Sequence, residues 1–185
     1  KEHTRMTDTT KVVTGPNTRF SYAYVWKPRK MEGDKEKYSV SLIIPKEDTE
    51  TLGKVEAAIQ MAYDLGKAKL AGEDGRIPTL TDISLPLRDG DVERRDDPAY
   101  LHSYFLSAKS YVQPGIVDAN LSRITEKSRF YSGCYGRASI HFYAYNHDGK
   151  RGIACGLNNL QKVADGPLLG GRSSPEEDFG NDIFM

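Results

Sequence analysis

The chain has 185 residues, 38% of them hydrophobic, which is enough for one domain with a sizeable core plus a tail. Its 26 Lys and Arg balance 26 Asp and Glu, so whole-chain basicity does not point to a nucleic acid, and no apolar run approaches the ~20 residues of a membrane helix. Two cysteines are too few for a disulfide scaffold; Cys134 and Cys155 read as small buried thiols, with a pairing between them left open.

Residues 1–10 are expected to be an expression remnant and flexible N-terminus, with Met6 as the candidate native start. Val12 and Val13 suit a sheet edge. Arg19 to Lys27 alternates as a strand, with Phe20, Tyr22, Tyr24 and Trp26 on one face and Pro28 as its end. A turn around Glu32-Gly33-Asp34 leads to a return strand, Lys37 to Ile44, closed by Pro45. Then comes the one strong helix. Asp48 or Thr49 can cap it, and Leu52, Val55, Ile59 and Ala62 form its apolar stripe up to an end near Gly72. Residues 72–98 are irregular. Tyr100 to Tyr111 reads as a strand with Phe105, Ser107, Lys109 and Tyr111 on one face, and Ile116 to Ile124 as a short strand or loop.

The clearest pattern follows. Ala138, Ile140, Phe142 and Ala144 alternate with Arg137, Ser139, His141, Tyr143 and Tyr145. Asn146-His147-Asp148-Gly149 is a hairpin turn, and Arg151 to Leu157 returns. One face of this hairpin belongs to a core. The other offers rings and cations. From Asp165 the composition turns to Gly, Pro and Ser, which predicts a flexible linker over 165–185 ending in an acidic tail. Five or six strands and one inserted helix fit a small antiparallel barrel or sandwich spanning 11–164.

No motif supports an enzyme or a cofactor. Asp89, Asp91, Glu93, Asp96 and Asp97 could converge on a metal in a nuclease, but Arg88, Arg94 and Arg95 alternate with them, as on a salt-bridged surface. His3, His102, His141 and His147 lack ligand spacing, and no Gly-rich loop opens a helix. The positive signal is aromatic. Tyr143 and Tyr145, with His141 and Arg137 on the same face, suit base stacking and phosphate pairing. Tyr24 and Trp26 either line the barrel or join them. Tyr111 lies at strand spacing from Phe105, and Lys109 and Arg151 could reach phosphates. The tail is the second signal. Its last ten residues hold Glu176, Glu177, Asp178 and Asp182 without a base, so the body keeps 26 basic against 22 acidic residues. Phe179, Ile183 and Phe184 lie among those acids, as in a tail that competes for a basic groove or docks on partner proteins.

Several stretches together resemble a family of tailed-bacteriophage single-stranded DNA-binding proteins. They are KYSVSLIIPK (37–46), LPLRDGD-ER-DDPAY (within 85–100), YSGCYGR (131–137), FYAYN (142–146), GIACGLNN-QK (within 152–162) and DG-LGGRSS-EEDF (within 165–179). The resemblance implies an OB-fold core, single-stranded DNA bound with little sequence preference, and an acidic C-terminal tail. It also implies a role in replication or recombination in the host cytoplasm, with replication proteins as partners of the tail. The expected state is a monomer or weak homo-oligomer. The family supplies no residue-level site motif, so the candidate residues rest on the face analysis alone. The rival readings are a phage assembly module and a metal-dependent nuclease.

Overall fold

The computed structural model describes residues 9–30, 35–170 and 179. Its strands are β1 (Lys11–Val13), β2 (Thr18–Lys30), β3 (Glu36–Pro45), β4 (Arg88–Asp89), β5 (Ser103–Ser110), β6 (Gly115–Val117), β7 (Tyr135–His147) and β8 (Lys150–Ala164). Its α-helices are α1 (Thr49–Leu65), α2 (Lys67–Leu70) and α3 (Gly90–Glu93).

Pairing runs β7–β2–β3–β5–β8, and β8 pairs again with β7. Five strands thus close into a ring, which leaves no edge within it. This is the expected OB-fold-like barrel, mainly β with helix inserted between β3 and β5. It departs from a wholly antiparallel barrel at the closure, where β5 and β8 run parallel through Lys109 and Gly156. β6 also pairs parallel to β8, and β1 adds to the outer edge of β7.

Alternation carries the barrel interior. Ala138, Ile140 and Phe142 of β7 pack inward with Ile153, Cys155 and Leu157 of β8, Val40 and Leu42 of β3, and Leu106 and Ala108 of β5. Both cysteines are buried and unlinked. Helix α1 plugs the barrel with Leu52, Val55, Ala58, Ile59 and Ala62. The Asp48 side chain accepts from the Thr51 N–H at 3.1 Å, as its cap.

The helix ends at Leu65 rather than near Gly72. A Cβ on Gly66 would run into Ala144, so the chain bends there against β7 before α2 begins. The next strand begins at Ser103 rather than Tyr100, because Pro98–Tyr100 forms a 3-10 turn whose first N–H groups are capped by Asp97. Tyr100 is buried by this turn against Ile43 and Phe105, on the outer side of β3 and β5. Segment 88–100 therefore covers part of the barrel's outer surface.

The largest departure lies in β2. Phe20, Tyr22, Tyr24 and Trp26 do not share a face. Ser21 pairs with Ser41 and Tyr24 with Ser39, so one extra residue bulges out of β2. Beyond the bulge the inward position falls on Val25, five residues after buried Phe20, and Tyr22 is 54% exposed.

Asp165 to Leu169, expected as the start of a flexible linker, is held against the barrel. Arg19 Nη2 donates to Pro167 O at 2.8 Å, Tyr131 Oη donates to Gly166 O at 3.0 Å, and Leu169 N donates to Ser132 O at 2.9 Å. Glu176, Glu177, Asp178, Asp182, Ile183 and Phe184 lie outside the described residues. Among those described, no helix is long and apolar enough to cross a membrane.

Candidate nucleic-acid interface

On the outer face of the sheet, β5, β8 and β7 lie side by side. The outward residues of β8 are small: Gly152, Ala154 and Gly156, paired with Tyr145, Tyr143 and His141 respectively. Phe105, Ser107 and Lys109 project from β5 on the other side. The two walls stand two strand spacings apart, roughly 10 Å. Together they bound an open groove of about 570 Å³, extended by Lys37, Arg88, Arg94 and His147.

The glycines in the floor set how the rings lie. A Cβ at Gly156 would enter the His141 imidazole, and one at Gly152 would stand 2.7 Å from the Tyr145 hydroxyl oxygen. Both rings therefore recline over the β8 backbone. His141 stacks on Tyr143 with centroids 5.7 Å apart and planes at 28°. Tyr145 stacks on His147 at 6.0 Å and 26°. His141 is held by its Nδ1 against Asn158 Oδ1 at 2.8 Å. Tyr143 remains 44% exposed. Burial of the rest of its ring pushes its phenol above the usual tyrosine range, so it stays neutral at neutral pH. The outcome is a run of rings along one β-strand, flanked by cations.

Some cations lie against rings and others are held by carboxylates. Lys37 Nζ sits 4.7 Å from the centre of the Tyr111 ring, and Lys35 Nζ 5.6 Å from it. Tyr111 is 60% exposed at the end of β5. The Arg94 guanidinium lies 5.1 Å from the centre of Phe105, a cation–π contact at the groove wall. Arg88 pairs with Glu93 at 3.0 Å. Lys46 is occupied by both Asp89 and Asp91 at 2.8 Å. The Lys46 hydrogen bond, then that from the His102 N–H, holds the Asp91 carboxyl below the usual range. These acids thus bind the covering segment to β3.

Nine residues carry the expectation from sequence, and they fall into three sets. Tyr143, Tyr145 and Lys109 line the groove, with His141 beside them. Tyr24 and Tyr111 sit at its margins. Tyr24 faces Ser39, which faces Lys109, so the three form a row across the outer sheet; Arg29 caps the Tyr24 ring at 4.0 Å. Arg137, Arg151 and Trp26 are elsewhere. Arg137 lines a separate cleft beside the start of α1, where its Nε donates to Thr14 O at 3.2 Å. Arg151 Nη1 donates to Leu70 O at 2.9 Å, at the C-terminal end of α2. Trp26 is half-buried, and its Nε1 donates to Phe130 O at 2.9 Å.

The sequence reading did not select Lys37, Arg94, Phe105 or His147 for the site. Phe105 showed its strand spacing, but only the covering segment reveals which part of its ring remains at the groove. Arg94 lay within a charge-alternating run, and its contact with Phe105 depends on the folded turn.

The family model described as "Enterobacter phage Enc34, ssDNA-binding protein" matches residues 10–184. A curated relative, the "putative protein p50" of Acyrthosiphon pisum secondary endosymbiont phage 1, is 31% identical over 169 residues, covering 87% of this chain and 89% of its own length. Among solved structures, the C-terminally truncated single-stranded DNA-binding protein of bacteriophage Enc34 superposes with a TM-score of 0.71 at 20% identity, over 86% of this chain and 88% of that one. The Enc34 protein in complex with single-stranded DNA gives 0.68 at 23%, over 87% and 90%. The single-stranded DNA-binding protein gp2.5 of bacteriophage T7 gives 0.60 at 16%, over 95% of each chain. The chain belongs to the family of the Enterobacter phage Enc34 ssDNA-binding protein.

Proposed function

We propose that this protein coats single-stranded DNA, without sequence preference, during phage DNA replication or recombination in the host cytoplasm. The observation that carries the reading is the groove over β5, β8 and β7. Its rings lie over glycines and present their faces, and its other wall is cationic. Stacking on such rings is worth about 1–3 kcal/mol per base and is indifferent to which base it is. Lys37, Lys109 and Arg94 stand where phosphates of a strand in the groove would pass. The family membership and the DNA complex of a relative support the same reading. The action is binding: the groove's polar groups hold and orient a strand, and Asp89, Asp91, Glu93 and Asp97 of segment 88–100 are spent on Lys46, Arg88 and a backbone cap.

The acidic tail fits a regulatory part in this function. Fifteen residues follow Gly170, and a chain of that length reaches up to roughly 50 Å, far enough to lie along the groove or to engage a replication protein. Deleting Glu176 to Met185 is expected to tighten DNA binding; unchanged affinity would remove the tail from the mechanism.

The reading is tested by fluorescence anisotropy with a labelled single strand and a duplex control, in EDTA, at low and moderate salt. Binding that prefers the strand, weakens with salt and needs no metal is expected. Binding that appears only with Mg²⁺ and is followed by degradation of the strand would replace coating with nuclease activity.

A further inference from the structure

Tyr22 stands outside the groove, and its backbone is unusual. It lies in the β2 bulge with φ of +45°, the left-handed region that glycine enters freely and tyrosine does not. A bulge needs an extra residue there, and Gly or Asn would meet that need at lower conformational cost. A ring is present instead, and it is 54% exposed. It forms a ridge between two clefts. One is lined by Glu93, Arg94, Arg95, Asp96, Asp97 and Pro98, the other by Ser21, Tyr24, Asp97 and Ser132 among others. The first connects it to the main groove. Arg94 borders the groove as well as the first cleft. Tyr24 borders the second cleft and ends the row that runs through Ser39 to Lys109.

We propose that Tyr22 is a further base-stacking residue for single-stranded DNA, receiving a base of the strand after it leaves the groove past Arg94. The inference rests on the single-stranded DNA reading above and extends the path beyond the barrel face. The acids nearby do not oppose it. Glu93 pairs with Arg88 and Asp97 Oδ1 accepts from the Ala99 N–H, Asp96 lines the cleft together with Arg94 and Arg95, and stacking requires a ring face rather than a charge.

The test titrates the full chain and its Tyr22→Gly and Tyr22→Phe variants against labelled oligothymidylates of about 6 and about 20 nucleotides, one within and one beyond the roughly 4–16 nucleotides that one barrel of this type covers. Glycine suits the bulge backbone, so Tyr22→Gly is expected to unfold at or above the wild-type temperature. It should bind the long strand about tenfold more weakly, the loss of one stacked base, and the short strand as wild type does. Tyr22→Phe should match wild type on both. The inference is overturned if Tyr22→Gly binds the long strand as wild type does, if it loses equally on both lengths, or if Tyr22→Phe loses as much as Tyr22→Gly. Failure of the wild-type protein to bind the long strand would instead overturn the DNA reading, and this inference with it.

Discussion

At the scale of single residues, the groove depends on glycines as much as on aromatics. Gly156 lets the His141 ring lie over β8, and any Cβ there would occupy that space. Gly156→Val should therefore force His141 upright, destabilise the fold by about 1–3 kcal/mol in denaturant melts, and weaken single-strand binding. Unchanged stability would show that the ring moves aside freely. Arg151 makes the opposite point. Its guanidinium reaches the Leu70 carbonyl, where a positive charge suits the end of a helix. Arg151→Met should lower stability by about 1 kcal/mol and leave DNA affinity unchanged; a loss of affinity in the folded variant would place Arg151 on the DNA path. Sequence alone selected Arg151 for its charge. It could not show that the side chain is directed across β8 towards α2, because that contact joins residues 81 positions apart.

At the scale of elements, β7 was legible and β2 was not, for one physical reason. β7 keeps strict alternation through Phe142 and Tyr145, so period 2 assigns its faces correctly. β2 carries a bulge between Ser21 and Tyr24, where one inserted residue reverses the faces that follow it, and a further register shift between Tyr24 and Arg29. The pattern Phe20, Tyr22, Tyr24, Trp26 contains no mark of that insertion. Segment 88–100 was legible in part: its alternating charges read as a salt-bridged surface, which Arg88 and Glu93 form, but nothing in the run showed that Lys46 ties Asp89 and Asp91 to the end of β3. Lys46→Met should loosen this cover, and its effect has a defined pH dependence. The folded Asp91 carboxyl titrates below its ordinary value, chiefly through the Lys46 hydrogen bond. The stability from this contact is therefore present above the unfolded carboxyl pKa, roughly 3.9, and is lost as pH falls through the folded value. Thermal melts should show a constant difference between wild type and Lys46→Met from neutral pH down to about 4, closing below it. A difference that vanishes already at pH 6 would contradict this assignment.

At the scale of the whole molecule, a chain with 26 cations and 26 anions binds a polyanion only by placing its cations locally. Lys35, Lys37, Lys109 and Arg94 gather at one groove and its margin. Roughly four phosphate contacts predict a slope of log K against log salt of about −3 for a single strand, with Lys37→Ala reducing its magnitude by about 0.7. A slope near zero would mean that phosphates are not read at all. The barrel itself was foreshadowed by strand count and by resemblance, but its parallel closure through Lys109 and Gly156 brings together residues 47 positions apart, and no local pattern announces that pairing. The most direct measurement of the central claim is single-strand affinity of the Tyr143→Ala/Tyr145→Ala double variant, by anisotropy, alongside its thermal melt. Loss of two stacking rings from the groove predicts a fall of about 30-fold or more with the fold retained. A folded double variant that binds single-stranded DNA as tightly as wild type would show that the strand lies somewhere other than the groove of β5, β8 and β7.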